Sequence, residues 1–311
     1  MGAALRLVFD EPGPLPTLPE LPARGPWATM TGRATALLVD MPVEFTAGEW
    51  RLADHPGADA RRARATLRDD LDMAEESAQG YSGALKVTVA GPWTLSAVLL
   101  RPLGGRVLGD RGARSDLAQS LAEGVSQHLE AVARRFPGAT LVLQVDEPSL
   151  PAVLAGSIPT EGGFFRHRAV TEQEVATTLA RLSALTTDSL LHSCAPGLPI
   201  GLVTAGAPDG AGFTGVSLDA SRGFDPDAVS AAVESGSDLF WGIASPDRAP
   251  SVDRYVRDAL SGLRPLELGD SLVDRLWLTP TCGLAGAEPQ MIRPIFKALR
   301  RAYSLVSEQL R

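Results

Sequence analysis

The sequence predicts an α/β chain folded as a TIM-type (β/α)8 barrel, either complete or short of its first strand. Three observations carry this. Short apolar runs alternate with longer stretches of helical periodicity, no hairpin signals join the runs, and no glycine-rich nucleotide fingerprint follows the early ones. Alternation without hairpins implies a parallel sheet. The absence of both GxGxxG and a P-loop pattern weakens the case for an open, nucleotide-binding sheet. A length of 311 residues suits one barrel domain covering 1–311.

Seven runs read as strands: ATALLVDMPV (34–43), ALKVTVAGP (84–92), TLVLQVDEP (140–148), DSLLHSC (188–194), FTGVSLDAS (213–221), SDLFWGIAS (237–245) and DRLWLTPTCG (274–283). Helical periodicity fills residues 59–80, 115–136, 171–185, 225–236 and 287–310. Ser115 is a candidate N-cap, and Thr171 with Glu174 has the spacing of a capping box. Residues 1–33 read as a helix remnant, MGAALRLVFDEP, followed by a proline-rich extended surface arm, PGPLPTLPELPARGP (12–26). A closed barrel needs eight strands, so one is missing. A barrel open at that place exposes two sheet edges, which favours a homo-oligomer.

Composition narrows the partners. The 37 acids outnumber the 29 Lys and Arg, for a net charge of −8. Nucleic-acid binders usually present a basic face, so none is expected here. No run of about 18 apolar residues exists to span a membrane. The N-terminus has Arg6 inside its apolar run and acids directly after it, which makes a poor signal peptide. The expected location is the cytoplasm, with both cysteines reduced.

Chemistry in a parallel barrel gathers at the C-terminal strand ends. The predicted runs place there Asp40, the turn GPWTLS with Trp93, Gln144, Asp146, Glu147, His192, Cys194, Asp219 and Cys282. His192 and Cys194 are two apart, so both point the same way from a strand. One imidazole, two thiolates and an oxygen ligand make a tetrahedral zinc site. The competing reading is structural: buried cysteines are often only small apolar residues, and Asp219 is equally suited to capping the next helix.

With those residues in place, the chain resembles the cobalamin-independent methionine synthase family, specifically its zinc-bearing catalytic barrel. QVDEPSL (144–150) is similar to the family's Asp-Glu-Pro motif and LHSC (191–194) to its His-x-Cys strand. SLDASR (217–222) and TPTCGLAG (279–286) resemble its acidic-x-Ser-Arg and Pro-Asp-Cys-Gly-Leu segments. VAGPWTL (89–95) resembles a Gly-Pro-x-Thr turn shared with the wider superfamily, which includes uroporphyrinogen decarboxylase. The resemblance implies a methyltransferase in which Zn2+ is held by His192, Cys194 and Cys282, with Asp219 where the family has a glutamate ligand. It also implies that Asp146 holds the amino group of homocysteine. Glu147, in the same motif, joins the substrate side. Asp40 stands in for an acid of the first strand, and Trp93 borders the methyl donor, or else simply packs.

The departures carry information too. The full family has two fused barrels and this chain has length for one, as in short core forms that take a methyl group from a corrinoid or corrinoid protein. Ala244 stands in place of the family's His-Ser-Pro histidine, which protonates a folate leaving group. A folate amine needs that proton, whereas cob(I)alamin leaves without one. Thr281 replaces the Asp before the last cysteine. The family's first strand, ending in Gly-Ser-Phe/Trp-Pro, has no counterpart, in line with the count of seven. Two other readings stand beside the methyltransferase: a non-catalytic zinc- or thiol-binding relative, and a metal-free decarboxylase-like enzyme.

Overall fold

A computed structural model describes residues 1–10, 15–207 and 209–311. Its centre is a parallel six-stranded sheet in the order β3-β4-β5-β6-β7-β8, curled as a TIM-type barrel that lacks strands. The strands are β3 (Ala84–Ala90), β4 (Thr140–Asp146), β5 (Asp188–Ser193), β6 (Gly215–Asp219), β7 (Asp238–Ala244) and β8 (Leu276–Pro280). All six arise from predicted runs. An antiparallel hairpin, β1 (Val43–Thr46) with β2 (Glu49–Leu52), stands apart from the sheet.

The helices are α1 (Gly2–Asp10), α2 (Met30–Leu37), α3 (Ala58–Ser77), α4 (Pro92–Val98), α5 (Arg111–Arg135), α6 (Leu150–Leu154), α7 (Glu172–Ser183), α8 (Ile200–Val203), α9 (Pro226–Glu234), α10 (Val252–Leu263), α11 (Asp270–Val273) and α12 (Pro289–Leu310). Thr171 caps α7 as expected, accepting from the Glu174 N–H at 3.3 Å. α5 begins earlier than expected: Asp110, not Ser115, is its cap, accepting from the Ala113 N–H at 3.0 Å.

The run 34–43 is not a strand. Its first part lies in α2, capped by Thr29, whose hydroxyl accepts from the Gly32 N–H at 3.1 Å. A short apolar run has the same periodicity in a buried helix as in a buried strand. Here Ala34 and Ala36 are good helix formers, and both are buried. Gly32 is required at the turn into this helix, because a Cβ there would sit 2.0 Å from the Pro26 carbonyl oxygen.

The sheet gains a partial seventh strand from the proline-rich segment. Lys86 N–H donates to Pro16 O at 2.8 Å and Leu18 N–H to Lys86 O at 3.3 Å, so Thr17 pairs in parallel with the outer edge of β3. Pro16 and Leu18 are buried. Part of the expected surface arm is therefore built into the sheet, while residues 11–14 of that arm lie outside the described residues. Proline tolerates an edge position, where its missing N–H costs no ladder bond.

The sheet separates two apolar regions. The outward residues of the strands, such as Leu85, Val87, Leu143, Val145, Leu191 and Trp241, join the helices in the main core. The inward residues Val142, Leu190 and Phe240 form a separate cluster with Leu15 and Trp277. Phe240 and Trp277 stack there with ring centroids 5.3 Å apart. This apolar floor lies below the polar strand ends, because Gln144 and Asp146 follow Val142 on the same face, and His192 follows Leu190. Apolar filling at the floor and polar groups at the C-terminal ends is what confines chemistry to the mouth.

Candidate metal centre

β5 delivers the first two residues of the centre. His192 is its penultimate residue and Cys194 the residue just past its end, both on the inward face. Cys282 follows β8 by two residues, on the loop that Thr281 pins through its N–H to Ala244 O at 3.0 Å. The nitrogen of His192 and the sulfurs of Cys194 and Cys282 all lie within 4.8 Å of one another. Two sulfurs bound at ~2.3 Å to one tetrahedral ion sit about 3.8 Å apart, so the three need little movement to share an ion.

The ring of His192 is held from the neighbouring strand. Its Nδ1 lies 2.9 Å from Ser217 Oγ on β6, its neighbour across the ladder. Its Nε2 is buried and has no hydrogen-bond partner. A buried polar atom without a partner is costly. An imidazole near two thiols, with Nδ1 engaged and Nε2 unpartnered, has the arrangement of a metal ligand with its outer support in place. The thiols are already polarised. The neighbouring Cys194 thiol, and then the nearby His192 ring, pull the Cys282 thiol well below its usual range. The same contact with Cys282, together with burial, pushes Cys194 up. The donor set therefore fits zinc.

Asp146 ends β4, level with His192 on the ladder. Its Oδ1 accepts from Gln144 Nε2 at 2.7 Å, and Gln144 Oε1 accepts from Lys86 Nζ at 2.7 Å. Burial pushes the Asp146 carboxyl up, opposed by the charges of His192 and Lys86 and by the bond from Gln144. Glu20, just past the partial strand at 16–18, joins this group. Burial raises it as well, with Arg33 opposing, the charge of Asp146 adding to the rise and that of Lys86 countering it. Lys86 is lowered by burial, and the charges of Asp146 and Glu20 act to raise it. Asp146 thus ends its strand level with His192, and the charges of Glu20 and Lys86 reach it.

Sequence reasoning missed Glu20 and Lys86. Glu20 was hidden in the proline-rich segment read as a surface arm. Lys86 did have a signal: a lone charge in the apolar run ALKVTVA must face either solvent or a barrel interior.

Other expected site residues lie elsewhere. Glu147 is fully buried. Its Oε1 accepts from the Trp93 N–H at 2.8 Å, and its Oε2 accepts from the Thr94 N–H and hydroxyl at 2.7 Å each. It therefore clasps the start of α4 instead of facing a ligand. Gly91 makes room for it, since a Cβ there would lie 2.2 Å from Glu147 Oε1. Trp93 is 2 % exposed, and its indole nitrogen has no partner. Its role is packing within the mouth turn, and it offers almost no surface to a donor. Asp40 is exposed on the loop after α2, with φ of 52°, and does not end a strand. Asp219 is not part of the His192–Cys194–Cys282 group. Its Oδ1 accepts from Ser221 N–H at 3.0 Å and Ser221 Oγ at 2.6 Å, and Arg222 lies 3.5 Å from Oδ2. In this arrangement it closes its own turn.

Among the described residues, no helix is long and apolar enough to cross a membrane. No curated protein matches the chain. The family model described as cobalamin-independent synthase, catalytic domain, matches residues 108–304, a span that holds β4 through β8 and every member of the metal-type cluster. The chain belongs to that family, and its half-open barrel carries a methionine synthase-like methyltransferase catalytic domain.

Proposed function

We propose that the protein is a zinc-dependent methyltransferase that moves a methyl group to the thiol of homocysteine, yielding methionine. The donor is a corrinoid, free or carried on a corrinoid protein, or another donor that is not polyglutamated folate. The observation that carries this reading is the convergence of His192, Cys194 and Cys282 at the barrel mouth, with Asp146 level with His192 on the ladder. His192, Cys194 and Cys282 would hold the metal, which acidifies a bound substrate thiol so that sulfur is present as the nucleophilic thiolate.

The protein's own residues supply the rest. Ser217 fixes the His192 ring. Asp146, oriented by Gln144, receives the substrate ammonium together with Glu20. Both carboxyls sit where burial makes an ion pair strong. The clasp of Glu147 on α4 holds the turn at the end of β3 beside Asp146, where Gly91 N–H donates to Asp146 O at 2.9 Å. The sulfur then attacks the methyl carbon in line. The new S–C bond forms as the bond to the donor breaks, and the leaving group departs with the electron pair. A cob(I)alamin leaving group needs no proton. Ala244, fully buried at the end of β7, has none to give.

Ala244 also favours a second reading, a relative that binds zinc and thiols without turnover. The metal-free decarboxylase reading fits less well, because acids line the mouth where carboxylate substrates would need cations. Methionine formation separates the first two. Zinc-loaded protein with homocysteine and methylcobalamin should give methionine, and the same protein with polyglutamated methyltetrahydrofolate should not. Zinc-loaded protein that binds homocysteine but forms no methionine from any methyl donor would select the non-catalytic reading.

A further inference from the structure

Arg33 takes no part in the reading above, yet it is the best-braced cation near the mouth. It lies on α2 and is 7 % exposed. Its Nε donates to Glu20 Oε1 at 3.2 Å, and its Nη1 donates to Asp70 Oδ2 at 3.1 Å. Asp70, buried on α3, is held in turn by Arg24 through a two-pronged pair of 2.7 and 2.6 Å. One carboxylate thus grips two guanidiniums, and one of these grips Glu20.

The network leaves Arg33 little freedom. Turning away from Glu20 would strand Asp70 on one partner, and breaking a buried pair leaves a charge uncompensated. Behind Glu20 and Arg33 is a cavity of about 10 Å3, lined also by Thr88 and His128. That is room for about one water, too little for the Glu20 side chain to fold back into. Glu20 is therefore held at the end of β3: it lines that cavity with Thr88, Val89 and Ala90, whose ladder partners are Gln144, Val145 and Asp146.

We propose that Arg33, braced by Asp70, is a positioning residue that aims Glu20 at the substrate ammonium, so that a side chain touching no substrate sets the preference for amino thiols over thiols lacking the amine. The proposal rests on the amino-thiol reading of the site. A lysine cannot replace Arg33 here, because one ammonium does not span both carboxylates as the guanidinium fork does.

The test uses the full chain loaded with cobalt(II), in which binding of a substrate thiolate is read from the rise of the sulfur-to-metal charge-transfer band above the level set by the two cysteines. Homocysteine is compared with 4-sulfanylbutanoate, which lacks only the amino group. The parent should prefer homocysteine by roughly tenfold or more, as one charge-assisted hydrogen bond predicts. Arg33→Lys and Arg33→Gln should bring the two thiols to within about threefold of each other, and Asp70→Asn should fall between. Glu20→Gln is the control and should match the Arg33 variants. A merely structural loss would weaken both thiols equally and leave the ratio intact. An unchanged ratio in Arg33→Lys, with its cobalt spectrum intact, overturns the proposal alone, whereas a parent without preference overturns it together with the amino-thiol reading of the site. A parent in which neither thiol raises the band overturns the functional reading and this proposal together.

Discussion

His192 Nδ1 lies 2.9 Å from Ser217 Oγ, and the opposite nitrogen of the same ring is buried without a partner. The two facts are linked. The hydroxyl engages one nitrogen, which leaves the other free on a ring that stands in a group with Cys194 and Cys282. Partners of this kind usually tune metal affinity by 10–100-fold. Ser217→Ala should therefore keep the fold and bind zinc about 10–100-fold more weakly, as measured by competition with a chromophoric chelator. Equal affinity in parent and variant would mean that the ring is held by something else.

Asp219 should not be needed for zinc. Its carboxylate closes the turn with Ser221 and lies outside the three-residue cluster. Asp219→Ala is expected to retain its metal and lose about 1 kcal/mol of stability, the usual cost of a lost cap. Zinc content that drops in this variant alone, with the thermal midpoint held, would make Asp219 a ligand.

Glu147 predicts a pH dependence of stability. Burial pushes its carboxyl from 4.5 up to about 7 in the folded chain, despite three hydrogen bonds from Trp93 and Thr94. The native state thus holds this proton more tightly than the unfolded chain. The contribution of Glu147 to stability is fullest below pH 4.5 and declines as pH rises toward about 7. Denaturant melts at pH 5 and pH 8 should show Glu147→Gln losing that part of the slope. The variant should also cost about 1–3 kcal/mol, because an amide NH2 would face N–H donors. A slope identical to the parent's would show that Glu147 does not titrate in this window.

Gly91 tests the same clasp by packing. A Cβ would fall 2.2 Å from Glu147 Oε1. Gly91→Ala should destabilise by about 1–3 kcal/mol, as overpacking does, and should lower the thermal midpoint. A midpoint within error of the parent would mean that the end of β4 gives way easily.

Much of this architecture was legible in the residues, for identifiable reasons. β3 to β8 read clearly because buried parallel strands are continuous apolar runs bounded by turns. His192, Cys194 and Cys282 were legible because strand periodicity and strand ends place them without knowledge of packing. The run 34–43 was misread because Ala- and Leu-rich apolar stretches of that length suit a buried helix equally well. Glu20 was missed because three residues of edge pairing inside a proline-rich stretch leave no periodicity to read. Glu147 was misjudged for another reason. The Asp-Glu-Pro motif names two adjacent acids, but neighbours on a strand face opposite ways, so Asp146 enters the mouth while Glu147 turns back onto α4.

The central claim is that two cysteines 88 positions apart in the chain grip one ion with His192. Metal content of protein purified under reducing conditions tests it most directly, run beside Cys194→Ser and Cys282→Ser. The account predicts about one zinc per chain in the parent, as a single four-coordinate site requires, and its loss in both variants with the barrel still folded. A parent that takes up no zinc after reconstitution would contradict it, leaving the cysteines as ordinary residues at two strand ends.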